Sequence, residues 1–217
     1  MFRFIYIAIF CLWGISGANH ALAQNNSTIT ILALGDSLTA GYGLDKGLSF
    51  PDRLNTRLKE MGINANIING GVSGDTSAGG LARLNWLLGP ADMPDGVIIA
   101  IGANDGLRAL EPSETRKNIN AILKILKQKK TPALLAGMQA PPNLGSDYVN
   151  EFNSIYPEMA AQYGVVFYPF FLDGVAAQPE LNQNDGIHPN VAGVDKIVEQ
   201  MLPSVLQLVA QIKKQKF

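Results

Sequence analysis

The chain has 217 residues, 47% of them hydrophobic, with a formal net charge of −1, two histidines and one cysteine. A chain of this length and apolar content buries one substantial core, which excludes disordered and fibrous classes. So weak a charge gives no support to binding of nucleic acid or an anionic membrane, and the lysine-rich stretches at 124–130 and 213–216 read as solvated helix ends.

In chain order, residues 1–23 stand apart. Arg3 is their only charge, an apolar run of 11 residues extends from Ile5 to Ile15, and Ala21-Leu-Ala23 has the form of a cleavage site. That pattern is a secretory signal peptide, shorter than the roughly 20 apolar residues a membrane anchor needs. Its removal is expected to leave one domain at 24–217, periplasmic or secreted, with no stable membrane anchor. Cys11 and His20 leave with it, so the remainder has no cysteine and one histidine, His188. A disulfide, a thiol nucleophile and a cysteine-ligated metal are then excluded.

The apolar run from Ile29 stops at Gly35 and delivers Ser37, which predicts a buried strand followed by a helical turn. Ser49 and Pro51 open a helix with Leu54, Leu58 and Met61 on its apolar face. A weaker strand at 64–69 leads through the turn Gly70-Gly-Val-Ser-Gly-Asp-Thr-Ser77 into a helix carrying Leu81, Leu84, Leu87 and Leu88, stopped by Gly89-Pro90. A strand at 96–101 ends at Gly102. A helix at 112–129, a strand at 132–138, a Pro-Pro loop, a helix at 148–163, a short strand at 165–168 and a long loop follow, and a helix at 191–212 closes the chain. Strands alternating with helices predict a parallel sheet covered on both faces.

Four polar clusters fall at the carboxyl ends of these strands or in neighbouring loops. They are Ser37, Gly74 within Ser73-Gly-Asp-Thr76, Asn104 within Gly102-Ala-Asn-Asp105, and Asp185-Gly-Ile-His188. Each has a plain structural reading: a serine caps a helix, a Gly-Asp-Thr-Ser turn or an Asn-Asp pair makes a turn, and a lone histidine is commonly structural. Their conjunction at one sheet edge favours catalysis. The spacing of Asp185 and His188 lets a carboxylate reach Nδ1 while Nε2 faces Ser37. Gly41-Tyr-Gly43 with Gly47 lacks the spacing of a dinucleotide loop, and there is no Gly-x-Ser-x-Gly elbow. Asp36, Asp75 and Asp105 lack the clustered spacing of a metal site.

Gly35-Asp-Ser-Leu38, Gly74, Gly102-Ala-Asn-Asp105 and Asp185-Gly-Ile-His188 resemble, in order and spacing, the four blocks of the SGNH (GDSL) hydrolase superfamily. Ser73-Gly-Asp-Thr-Ser77, Asn104-Asp-Gly-Leu-Arg108 and Asp185-Gly-Ile-His-Pro-Asn190 resemble more narrowly its bacterial thioesterase I, lysophospholipase and arylesterase branch. The similarity spans the chain after residue 23, including Tyr156-Pro157 and Pro169-Phe-Phe171. Ala103 departs from the glycine common in that branch, which touches no role. The resemblance implies a three-layer α/β/α sandwich with a flavodoxin-like five-stranded parallel sheet. It also implies Ser37 as nucleophile, Asp185 and His188 as its partners, and Ser37 N–H, Gly74 N–H and the Asn104 side chain as the oxyanion hole, with no cofactor and no metal.

The expected activity is hydrolysis of a small-molecule carboxylic ester, acyl thioester or lysophospholipid through an acyl-enzyme, by a chain acting as a monomer. Leu107, Leu110, Met138, Pro141, Pro142, Leu144 and Tyr148 either line an acyl pocket or are ordinary covering residues. The alternatives are a carbohydrate O-deacetylase, disfavoured because these loops hold one aromatic platform, and a non-catalytic periplasmic binding protein.

Overall fold

The computed structural model describes residues 28–89 and 93–216, so the expected signal segment at 1–23 lies outside the described residues. The strands are β1 (Ile29–Gly35), β2 (Ala65–Gly71), β3 (Gly96–Ala100), β4 (Ala133–Ala136) and β5 (Val166–Tyr168). The helices are α1 (Ser37–Ala40), α2 (Phe50–Glu60), α3 (Ser77–Leu87), α4 (Ala103–Leu107), α5 (Pro112–Gln128), α6 (Ser146–Tyr163) and α7 (Val191–Lys216).

The strands form one parallel sheet in the order β2-β1-β3-β4-β5. This is the expected flavodoxin-like order. β3 and β4 are buried at every residue, because the sheet is covered on both faces. α2 packs on α7, while α3, α5 and α6 pack in series. The core between the layers is aliphatic, with Ile31, Leu34, Ile98, Ile99, Leu134 and Leu135 wholly buried.

The local signals act as their chemistry dictates. Ser49 and Asp52 form a reciprocal capping box at the start of α2, with Pro51 in the first turn. Several boundaries differ from expectation: β4 covers only Ala133–Ala136, α6 starts at Ser146 and α7 runs on to Lys216. β2 continues through Gly70 and Gly71 because its pairing with β1 runs on to Gly35. Met61 lies beyond the end of α2, so it is exposed while Leu54 and Leu58 are buried. Residues 103–107, expected as loop, form the short helix α4 behind Gly102.

The chain leaves β1 toward β2 on one side and returns to β3 on the other. The crevice of such a sheet opens at the carboxyl ends of those strands, where the direction of winding reverses. Ser37 directly follows β1, and Asn104 lies in α4 directly after β3.

Candidate active site

Ser37 is the first residue of α1, and the side chain of Asp36 caps that turn by accepting the Leu38 N–H at 3.0 Å. Asp36 is fully buried, and its second oxygen has no hydrogen-bond partner among the described residues. Burial pushes its carboxyl up to about 7 against the opposing pull of the Leu38 N–H.

The loop before α7 brings an Asp–His pair to Ser37. Asp185 Oδ1 accepts the backbone N–H groups of Ile187 (2.9 Å) and His188 (3.0 Å), which turns the loop tightly enough for Oδ2 to meet His188 Nδ1 at 2.6 Å. A carboxylate only accepts, so Nδ1 carries the proton and Nε2 of the neutral ring is left as an acceptor. Nε2 lies 2.9 Å from Ser37 Oγ. The His188 N–H, the imidazole and the Ile187 N–H together hold Asp185 down at about 2. The ring of Tyr42 packs on the imidazole, with centroids 4.6 Å apart.

Gly74 and Asn104 border the same cavity as Ser37. Gly74 has φ +85°, a conformation that favours glycine, and its N–H has no backbone partner among the described residues. Arg108 holds the Gly74 carbonyl at 2.9 Å. Asn104 Nδ2 donates one hydrogen to the Asp75 carbonyl at 2.9 Å, which fixes the amide and leaves its second hydrogen without an acceptor among the described residues. α4 is in turn anchored by buried Asp105, which accepts the Ser77 N–H (2.8 Å) and the hydroxyls of Ser77 and Thr115. Arg83 braces the loop after β2 by donating to Asp75 Oδ2 (2.7 Å) and to the carbonyls of Gly70 and Gly35.

Ser37, Gly74, Asn104 and His188 thus border one cavity of about 520 Å³, with Asp185 behind the imidazole. A second cavity of about 470 Å³, between the ends of α5 and α7 at the amino edge of the sheet, contains none of these groups. Asp36, Asp75 and Asp105 are engaged separately, and no three His, Cys, Asp or Glu side chains converge as a metal site needs among the described residues.

The sequence pattern of the GDSL-like Lipase/Acylhydrolase family matches residues 33–196. The chain belongs to that family. It is 38% identical over 188 residues to the esterase TesA of Pseudomonas aeruginosa, covering 87% of this chain and 93% of that protein. An arylesterase of Vibrio mimicus is 39% identical over 183 residues, covering 84% and 86% of the two chains. Among solved structures, AlinE4, an SGNH-hydrolase family esterase, shares 50% identity with a TM-score of 0.71, over 83% of this chain and 96% of its own.

Within this GDSL-family domain, the cavity wall is only partly the one expected. Leu107, Met138, Pro141 and Pro142 line it. Leu110, Leu144 and Tyr148 do not: the Tyr148 hydroxyl donates to the Leu110 carbonyl at 2.7 Å and its ring stacks on Phe152. Its wall also includes Phe170, Leu172, Ala176, Ala177, Ile187 and Tyr42, none of them among the seven expected residues. The signal for Phe170 and Leu172 was present, since large apolar residues in a long loop need something to face.

Proposed function

We propose that residues 24–217, after cleavage of 1–23, act as a periplasmic or secreted serine esterase that works through an acyl-enzyme on Ser37. The observation that carries this reading is the unbroken hydrogen-bonded chain Ser37 Oγ, His188 Nε2, His188 Nδ1 and Asp185 Oδ2 at the edge of an apolar cavity. Membership of a hydrolase family whose similar members are named esterases and arylesterases supports it.

In this mechanism Ser37 Oγ attacks the acyl carbon while its proton passes to His188 Nε2. Asp185 stabilises the resulting imidazolium and keeps the ring in the productive tautomer. The developing oxyanion is met by the N–H groups of Ser37 and Gly74 and the second Asn104 hydrogen, donors held in place before reaction. His188 then protonates the departing alkoxide or thiolate. A water gives its proton to the same nitrogen, its oxygen releases the acid, and Ser37 Oγ recovers the proton. The cavity lining is mainly aliphatic and aromatic, which suits an aliphatic or aryl acyl group better than a sugar. Thioesters and lysophospholipids fall within the same chemistry.

The test is hydrolysis of p-nitrophenyl esters from acetate to palmitate, of acyl-CoAs and of acetylated xylan by the wild type and Ser37→Ala. Turnover of acyl esters lost in the variant is expected. Activity confined to the acetylated polysaccharide would favour a deacetylase, and none on any substrate a binding protein.

A further inference from the structure

The nucleophile and the base sit on separate loops, residues 36–48 and 182–190, and something must hold the two at hydrogen-bonding distance. Among the described residues, two hydrogen bonds join these segments: the one between Ser37 and His188, and one from Gln183. Gln183 Nε2 donates one hydrogen to the Tyr42 carbonyl at 2.7 Å and the other to the Pro189 carbonyl at 3.0 Å. Both donors of a single amide nitrogen are thereby committed, one to each loop.

The connections continue on either side. The Tyr42 N–H donates to the Ser37 carbonyl at 3.2 Å, and the Gln183 N–H donates to the His188 carbonyl at 2.7 Å. The Gln183 carbonyl accepts the Gly186 N–H at 2.9 Å, closing the turn that contains Asp185. The side-chain oxygen of Gln183 rests where a Cβ on Gly43 would be, so the crossing requires glycine there, and Gly43 has φ +74°.

From this geometry we infer that Gln183 is a positioning residue, which sets the separation of Ser37 and His188 by clamping one backbone carbonyl from each loop. The inference rests on the triad reading above. Gln183 does not border the cavity, so it acts through His188 and not on the substrate. Only an amide serves: a carboxylate would face two carbonyls with lone pairs, and a thioether would offer no hydrogen. A misplacement of about 1 Å between reacting groups costs about 10²-fold in rate.

Gln183→Met tests this with p-nitrophenyl butyrate. The expected result is a kcat lower by about 10- to 100-fold with KM within about twofold and an unchanged melting temperature. Gln183→Met is then placed in a His188→Ala background, where a residue that works by positioning the imidazole has nothing left to position. The residual rate of His188→Ala should be the same with and without the second change. An undiminished kcat in the single variant, or a further multiplicative loss in the double, overturns the inference. The triad reading is tested separately by His188→Ala alone, which should lose nearly all turnover. Gln183→Glu supplies a second, isosteric check if the Met variant does not fold. Its rate relative to wild type should rise as acid returns one donor to the side chain, and a ratio independent of pH overturns the proposal.

Discussion

Ser37 Oγ and His188 Nε2 are 2.9 Å apart although 151 residues of chain separate them. Ser73 also borders the cavity, but no imidazole reaches it in the hydrogen bonds of the site. Ser37→Ala is therefore expected to abolish turnover with a melting temperature within about 2 °C of wild type, since surface changes away from caps and cores are small. Ser73→Ala should retain most activity. The reverse pattern, measured by initial rates with p-nitrophenyl butyrate, would move the nucleophile to Ser73.

Asn104→Ala removes one of the proposed oxyanion donors and its tie to the Asp75 carbonyl. A loss of about 10²- to 10³-fold in kcat is expected, roughly 3 to 4 kcal/mol, with KM moving far less because the bond strengthens mainly in the transition state. A change confined to KM would make Asn104 a ground-state binding group.

Asp185 is held at about 2, so it stays a carboxylate while a histidine titrates. The acid limb of log kcat/KM against pH should accordingly owe nothing to Asp185 above about pH 4, and should have a slope of one in Asp36→Asn, which lacks the other carboxyl that titrates near the site. A slope of two in that variant would require a further group to protonate. The stabilising share of Asp185 is present above its unfolded value of about 3.8 and is lost as pH falls through about 2.

Asp36 has the opposite sign. Its folded value is raised to about 7, so its contribution is full below the unfolded value of 3.8 and is lost as pH rises through 7. Asp36→Asn keeps an oxygen for the Leu38 N–H and cannot ionise, so its urea midpoint should be flatter than that of wild type between pH 4 and 7. Parallel curves would show that Asp36 does not titrate there.

Ala176 and Ala177 form a stretch of cavity wall with almost no side chain. Ala176→Leu should fill space equivalent to about three methylenes of an acyl chain. At about 0.8 kcal/mol each, kcat/KM for long acyl esters should fall by roughly 30-fold or more, with acetate hydrolysis little changed. An equal loss across the p-nitrophenyl series would place Ala176 away from the acyl chain.

What was legible in the sequence was what is encoded locally. β1 and β3 are continuous apolar runs ended by glycine, and the Asp185–His188 pair lies within one turn, so the conjunction of the polar clusters at one sheet edge and their family resemblance could be read directly. The cavity wall was less legible because it is made by convergence. Phe170 and Ala176 come from a stretch with no periodicity, and nothing in a run of letters says they meet Leu107 across the sheet edge. Tyr148 misled for the same reason, since it lies near the right edge but turns its hydroxyl to Leu110. Gln183 gave no signal at all. Its importance lies in two carbonyls, which no side-chain pattern records.

β1, which leads into Ser37, is an inner strand of the sheet, whereas His188 lies 151 residues further along the chain, just before α7, which packs on α2. Most of the chain must therefore be made before nucleophile and base can meet. Topologies dominated by such distant contacts fold slowly, because loop closure must precede the contacts that reward it. On the proposed mechanism, chains lacking residues 182–216 would be hydrolytically silent, because His188 reaches Ser37 only once α7, which follows it, has docked. Regain of esterase activity on dilution from urea is thus a clock for that last docking event, and should lag behind the recovery of the sheet seen by far-UV dichroism.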